Sequence, residues 1–128
     1  METTKRYLPL LGRIMIGLPF ILSGFGKLMA HDATVGYIGS VGLPLPQVGW
    51  LIAIAVEMGG GALLILGFRA RAVAAVLAVF ALATAIFFHR NFADQNQLIH
   101  FLKNVMLAGG LLQIVSFGTG SDRAQGRA

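Results

Sequence analysis

Four long runs of apolar residues, separated by short polar segments, set the pattern of the sequence. They cover about residues 7–29, 48–66, 72–88 and 98–117. Each run has close to the roughly 20 residues that an α-helix needs to cross a bilayer. We therefore predict an all-α membrane protein in which the 128 residues form a single four-helix transmembrane domain.

The first run must be distinguished from a secretory signal peptide, because the basic residues Lys5 and Arg6 precede it. It is longer than the apolar region of a typical signal peptide, contains Arg13 and lacks a clear A-x-A cleavage site. We interpret it as a retained transmembrane helix. Gly17 and Gly24 lie close to the helical line of Arg13, so a second helix should approach this side.

The segments between and within the other runs give two structural expectations. Residues 30–46 form the longest connection, and their glycines and prolines predict an ordered interfacial segment that can include a short helix. In the third run small residues recur along one side, which predicts a helix that serves as a packing element. These residues are Ala74, Ala78, Ala81 and Ala85.

The basic residues predict the orientation of the four-helix bundle. Lys27 and Arg90 lie near one side of the membrane, whereas six basic residues share the side that holds both termini. These six are Lys5, Arg6, Arg69, Arg71, Arg123 and Arg127. Loops rich in lysine and arginine stay in the cytoplasm, so both termini should be cytoplasmic.

The composition supports a membrane protein and excludes several other classes. Hydrophobic residues make up 56% of the chain and charged residues 12%, against about a quarter charged in soluble proteins. The net charge of +5 would suit nucleic acid, but the basic residues form no stripe with interleaved aromatic residues. The absence of cysteine excludes thiol nucleophiles, disulfides and thiolate-bound metals. Any redox role therefore needs a bound cofactor or a partner.

Polar side chains share one face of the fourth run. His100, Lys103 and Asn104 are three and four residues apart, the spacing that places side chains on the same side of a helix. Hydrocarbon offers such groups no hydrogen-bonding partners, so this face should meet protein or water. We expect the other spans to pack around it and a ligand to bind there.

Glu57 lies near the middle of the second run and is followed by three glycines. A charge at the bilayer centre costs on the order of 3 kcal/mol, so this carboxylate needs a proton or a cation. Lys103 is our first choice of partner and Lys27 the second. A purely structural ion pair that fixes the packing of two helices is the open alternative.

The spans contain more positive than negative charges, because Arg13, Lys27 and Lys103 face a single Glu57. Snorkelling of Arg13 and Lys27 towards the membrane interfaces would relieve this excess. Otherwise an electron-rich group, such as a quinone carbonyl or a small anion, should visit the pocket. The candidate ligand-binding residues are Lys103, Asn104, His100, Glu57 and Lys27, with Glu57 and His100 also the catalytic candidates.

Each candidate also has a simpler interpretation. His100 can be a hydrogen-bonded core histidine, and Asn104 can bridge two helices. We predict no metal site, because the histidines and aspartates near the outer side match no tight ligand motif. Those residues are His31, Asp32, His89, Asp94 and His100.

Four segments in order carry a recognisable pattern: LPFILSGFGKLM at 18–29, VEMGGGALLILGFRAR at 56–71, FFHRNF at 87–92 and NQLIHFLKNVMLAGGLL at 96–112. From about Arg13 to Gln113 the chain resembles the DoxX family of small bacterial inner-membrane proteins. The positions that match the family pattern are Gly24, Lys27, Glu57, Gly60, Gly67, His89, Lys103 and Asn104.

The resemblance implies a multi-pass four-helix protein of the bacterial inner membrane. It also implies a relation to the membrane subunit of an archaeal thiosulfate:quinone oxidoreductase. Some members of the family are linked to oxidative-stress or thiol-handling partners. The resemblance therefore favours a redox role that is carried out with a partner.

Our leading hypothesis is the membrane component of a redox-linked assembly that interacts with quinone. Glu57 or His100 would exchange the proton, and Lys103 would polarise the quinone oxygen. The alternatives are a small transporter or permeation unit and a non-catalytic membrane scaffold. If the protein is an enzyme, we expect an oxidoreductase subunit that acts with a soluble or membrane redox partner. Faces of small residues would also permit a homo-oligomer.

Overall fold

The computed structural model describes residues 2–89 and 91–119, with side chains from Arg6 onward. The predicted orientation of the bundle depends partly on Arg90, Arg123 and Arg127. These three arginines lie outside the described residues. The elements are α1 (Glu2–Met29), α2 (His31–Ser40), α3 (Pro46–Ile54), a π-helical turn (Ala55–Gly59), α4 (Gly60–Leu66), α5 (Ala70–Phe88) and α6 (Gln95–Phe117).

Four helical segments are long and apolar enough to cross a membrane. They are Arg6–Met29, Pro46–Leu66, Ala70–Phe88 and Gln95–Phe117, and the second joins α3, the π turn and α4. We call this second segment span 2. The predicted all-α four-helix membrane architecture is confirmed, and each span begins slightly before the predicted residue because its polar flank is also helical.

The spans pack in a defined order around a small core. α1 packs on α4 and the π turn, α4 packs on α5, and α5 and α6 form the most extensive pair. The predicted alanine face of α5 is buried at this centre. The core cluster consists of Phe20, Leu64, Ala74, Leu77, Ala78, Ala81, Ala108 and Leu111. Small side chains on α5 thus allow α4 and α6 to approach it from two sides.

Glycines bring α1 and span 2 into backbone contact, as the pattern in the first run predicts. A Cβ atom built on Gly17 would lie 2.6 Å from the carbonyl oxygen of Gly61, and one on Gly61 would lie 2.6 Å from that of Gly17. Further along α1, a Cβ on Gly24 would lie 2.5 Å from Cγ of Met58. At Gly17 and Gly61 no larger residue fits without moving a helix, because the obstructing atom belongs to the backbone.

Arg13 closes the end of α4 instead of snorkelling to the interface. Its Nε donates to the carbonyl oxygen of Leu64 at 3.0 Å, and its Nη2 to that of Ile65 at 3.5 Å. The last carbonyls of a helix lack intrahelical donors and carry partial negative charge, so they stabilise a guanidinium placed beside them. The Arg13 side chain can therefore be buried here. Gly67 ends the same helix with φ of +79°, a conformation that glycine adopts without strain. The snorkelling alternative is therefore wrong for Arg13.

The predicted interfacial connection contains a helix, α2, followed by a turn with Gly42 at φ +87°. α2 packs mainly against α3 at the end of the bundle where α1 ends. We call this the α2 end of the bundle. The indole Nε1 of Trp50 on α3 donates to the carbonyl oxygen of Lys27 at 2.7 Å, which ties the start of span 2 to the last turn of α1.

Candidate functional site

A lysine and a glutamate form an ion pair between α1 and span 2. The ammonium nitrogen of Lys27 lies 3.0 Å from Oε1 and 3.1 Å from Oε2 of Glu57, and it also donates to Ser23 Oγ at 2.9 Å. Glu57 is 4% exposed, whereas the Lys27 side chain is 31% exposed. The carboxylate is thus neutralised inside the bundle, and the lysine stays accessible from one side.

The preferred pairing of Glu57 with Lys103 is wrong, and the second choice, Lys27, is correct. Side chains on a helix incline towards its N-terminus. Lys27 stands near the C-terminal end of α1 and therefore inclines into the bundle, while Glu57 on the antiparallel span 2 inclines towards the α2 end. Lys103 is exposed on α6, which packs mainly on α5.

Glu57 lies in the π-helical turn of span 2. A π turn inserts an extra residue into an α-helix and changes the direction in which the neighbouring side chains point, and such turns occur frequently at functional sites. Gly24 on α1 lies against this turn, because a Cβ there would come within 3.2 Å of Cβ of Glu57. The local backbone and the opposing glycine together place the carboxylate beside Lys27.

A cavity of about 840 Å³ lies next to the ion pair. Its walls come from α1, α2, span 2, α5 and α6, and most of the lining side chains are apolar. The groups that can form hydrogen bonds or carry charge are few, as is usual for small-molecule sites of roughly 300–1,000 Å³. The principal ones are Ser23, Lys27, Glu57, Thr84, His89 and Asn104.

Asn104 connects α6 to α5 at the wall of this cavity. Its Nδ2 donates to Thr84 Oγ1 at 3.0 Å, and the threonine hydroxyl donates to the carbonyl oxygen of Ala81 at 2.9 Å. The interpretation of Asn104 as a bridge between helices is thus correct. An amide carries two N–H groups, so this bridge leaves a second donor on the same nitrogen.

His89 follows the last residue of α5 and also lines the cavity. Its Nδ1 is buried and has no hydrogen-bond partner in the described part of the chain. The ring of His100 lies 5.1 Å away, centroid to centroid, at 30°. Burial lowers the pKa of His89 below its usual value of 6.5, and repulsion by His100 lowers it further. His89 therefore favours the neutral form.

α2 covers the cavity at its end of the bundle. Tyr37 donates its hydroxyl to the carbonyl oxygen of Phe88 at 3.3 Å, and the two rings lie 5.2 Å apart. At the start of α2, the His31 ring nitrogens lie 2.8 Å from Asp32 Oδ1 and 2.8 Å from Gln47 Oε1. These hydrogen bonds, that to Asp32 first, raise the pKa of His31 above 6.5. Polar contacts thus hold both ends of α2.

The structure brings together some of the sequence-predicted residues and separates others. Glu57, Lys27 and Asn104 line one cavity, whereas Lys103 and His100 are exposed on α6 and do not line it. The sequence analysis named His89 as a position of the DoxX pattern and among the residues that match no metal-ligand motif, but not as a candidate ligand-binding residue. Among residues 2–89 and 91–119, no three potential metal ligands lie together.

Comparison with known proteins gives concordant results. The family model described as DoxX matches residues 8–90. The inner membrane protein YphA of Escherichia coli strain K12 is 36% identical over 117 residues, which cover 88% of this chain and 84% of the relative. The inner membrane protein YqjF of the same strain is 36% identical over 115 residues, covering 88% and 85%. No solved structure matches the chain significantly.

Proposed function

Because the chain belongs to the DoxX family and is a multi-pass protein of the inner membrane, we propose that it is the membrane component of a redox-linked assembly and binds a quinone in the cavity beside Lys27 and Glu57. One observation carries the proposal: a largely apolar cavity of about 840 Å³ that holds a buried ion pair and a side-chain amide on different walls.

A quinone suits this arrangement because it is a flat apolar ring with two carbonyl oxygens that accept hydrogen bonds. The second N–H of Asn104 on α6 would donate to one carbonyl. Lys27 on α1 already donates to Glu57 and Ser23, so the other carbonyl must displace one of these acceptors. The neutral Ser23 hydroxyl is the weaker of the two acceptors, since charge-assisted hydrogen bonds are roughly twice as strong as neutral ones.

A bound quinone would supply a two-electron, two-proton couple. The chain has no cysteine, so the electrons would come from a redox partner in the assembly. Within this chain, Glu57 would take up a proton and pass it to the reduced ring, returning to the carboxylate that the Lys27 ammonium stabilises. His89 would replace His100 as the second titratable group, because His89 lines the cavity and His100 does not. We propose that both termini are cytoplasmic.

Native mass spectrometry of gently purified protein, with extraction of bound lipids, tests the proposal. We expect a stoichiometric quinone on the wild-type protein and its loss in Asn104→Leu, which removes the amide donor. Gln113→Leu is the matched control, because Gln113 is exposed on the same helix and does not line the cavity. A wild-type protein that carries no quinone and takes up none when it is supplied would favour the scaffold function instead.

A further inference from the structure

One side of the cavity is not closed by protein. Met15 on α1 and Phe87 on α5 both line the cavity, yet they are 67% and 42% exposed. α1 makes its main contacts with span 2, and α5 makes its main contacts with α6. A gap therefore runs between α1 and α5, on a surface that faces acyl chains when the spans lie in a bilayer.

The gap leads from the lipid-facing surface to the ion pair. Pro19 and Ala83 also line the cavity, as do mostly apolar side chains, so the route from the bilayer is largely apolar. The α2 end of the cavity is covered by Tyr37 on Phe88. A molecule that is dissolved in the bilayer can therefore reach the polar groups without moving α2.

We propose that the gap between α1 and α5 is a lateral portal, through which a lipid with a polar ring and a long apolar tail places its ring against Lys27 and Glu57 while the tail stays along Met15 and Pro19. The inference rests on the proposed function and extends it in two respects. It restricts the ligand to a tailed molecule, and it places the access route in the bilayer.

Charge and shape favour such a molecule over an ordinary phospholipid. The headgroup of a phospholipid is charged and remains at the membrane surface, whereas the ion pair here lies within the helical spans and beside apolar walls. Glu57 is near the middle of span 2, and it is already neutralised by Lys27. A neutral ring with hydrogen-bond acceptors can reach this depth at a smaller desolvation cost than a charged headgroup.

The test measures the association of two quinones with the full-length protein in phosphatidylcholine nanodiscs. One probe is a long-chain ubiquinone, and the other is the same benzoquinone ring without its tail. Met15→Trp and Ala83→Trp each place an indole in the portal, from α1 and α5 respectively. Ile86→Trp is the control, because Ile86 is 51% exposed on α5 and does not line the cavity.

We expect both portal variants to slow association of the long-chain quinone by about tenfold or more, an effect on the access step. The control should match the wild-type protein, and the tail-less ring should still bind to every variant.

Unchanged association of the long-chain quinone in both portal variants would overturn the portal and leave the proposed function intact. If neither quinone binds to the wild-type protein, the proposed function fails. A phospholipid that quinone cannot displace from the cavity would overturn the assignment of a tailed neutral ring as the ligand.

Discussion

The ammonium nitrogen of Lys27 lies 3.0 Å from Glu57 Oε1 and 3.1 Å from Oε2, across the interface between α1 and span 2. Both residues point into this interface because the two helices are antiparallel and their side chains incline towards each other. The pair therefore fixes the packing of two spans and also supplies the charged groups of the cavity. Its two roles can be separated by measuring stability and ligand binding on the same variants.

Removing the lysine should destabilise the bundle. Lys27→Met leaves Glu57 buried without its cation, and breaking a buried pair costs about 3–5 kcal/mol, reduced here because the lysine is partly exposed. We expect about 2–3 kcal/mol in reversible unfolding by sodium dodecyl sulfate in mixed micelles. Lys103→Met is the matched control and should change the unfolding free energy by less than about 0.5 kcal/mol, because the residue is exposed. Equal effects of the two substitutions would contradict the pairing.

A double variant gives an independent measurement of the same interaction. Once Lys27 is methionine, replacing Glu57 by methionine removes the unpaired charge. The combined variant Lys27→Met, Glu57→Met should therefore be more stable than Lys27→Met alone, with a coupling energy of about 1–3 kcal/mol between the two sites. Additive losses would show that the two residues do not interact.

Two glycines on different helices offer a contrast in packing. Gly61→Ala would place Cβ 2.6 Å from a backbone oxygen of α1, which cannot move without the helix. We expect a loss of about 1–3 kcal/mol from overpacking. Gly109→Ala is the control, since its Cβ would meet nothing within 4 Å. That variant should be neutral or more stable by up to about 1 kcal/mol through helix propensity. A loss of stability in Gly109→Ala would contradict the open space that surrounds this position on α6.

Arg13 should stabilise the end of α4. Arg13→Gln loses the charge that donates to the carbonyls of Leu64 and Ile65, and hydrogen bonds to charged groups contribute about 1.5–3 kcal/mol. We expect a loss of that order in the same unfolding assay. Arg13→Lys should recover part of it, because the charge at the helix C-terminus is kept but the planar fork is not. If Arg13→Gln is as stable as the wild-type protein, Arg13 does not stabilise the end of α4.

The two shifted histidines should give opposite pH dependence. The pKa of His89 is lowered in the folded state, so its contribution to stability is present above pH 6.5 and is lost as the pH falls through the folded value. The pKa of His31 is raised, so its contribution is present below pH 6.5 and is lost as the pH rises through the folded value. Melting temperatures between pH 5 and pH 8 should therefore lose their acidic decline in His89→Gln and their alkaline decline in His31→Gln.

If neither substitution changes the slope of the melting temperature against pH, the burial of His89 and the hydrogen bonds of His31 do not control the protonation of these two residues. A change of the same sign in both variants would also contradict the account. Asp32→Ala is a useful companion to His31→Gln, because it removes the first of the contacts that raise the pKa of His31 while the ring is kept.

The membrane architecture was predictable because it depends on properties that are local in sequence. The length of each apolar run gives a span, and glycines near one helical line predict that a second helix approaches α1 at Gly17. The partner of Glu57 was not predictable in the same way. Lys103 and Lys27 were the first and second choices of partner, and the decision between them depends on which helices are neighbours.

The π turn and the role of Arg13 could also be identified only from the three-dimensional structure. A π turn has no fixed sequence signature, and Glu57 within it reads as an ordinary mid-span carboxylate. Arg13 reads as an interfacial arginine until the C-terminal carbonyls of α4 are placed beside it. The direction in which a side chain inclines along its helix would have been a usable signal, because it separates Lys27, which points inward, from a residue that snorkels outward.

The most direct test of the central claim is a quinone titration that compares two lysines. Trp50 is the single tryptophan and is hydrogen-bonded to the backbone of Lys27, so its fluorescence reports on the surroundings of this lysine. In nanodiscs, we predict saturable quenching by a long-chain ubiquinone in the wild-type protein and in Lys103→Met. Binding to Lys27→Met should be about tenfold weaker, equivalent to 1.4 kcal/mol. Equal affinity in all three proteins, or a loss confined to Lys103→Met, would contradict the site described beside Lys27 and Glu57.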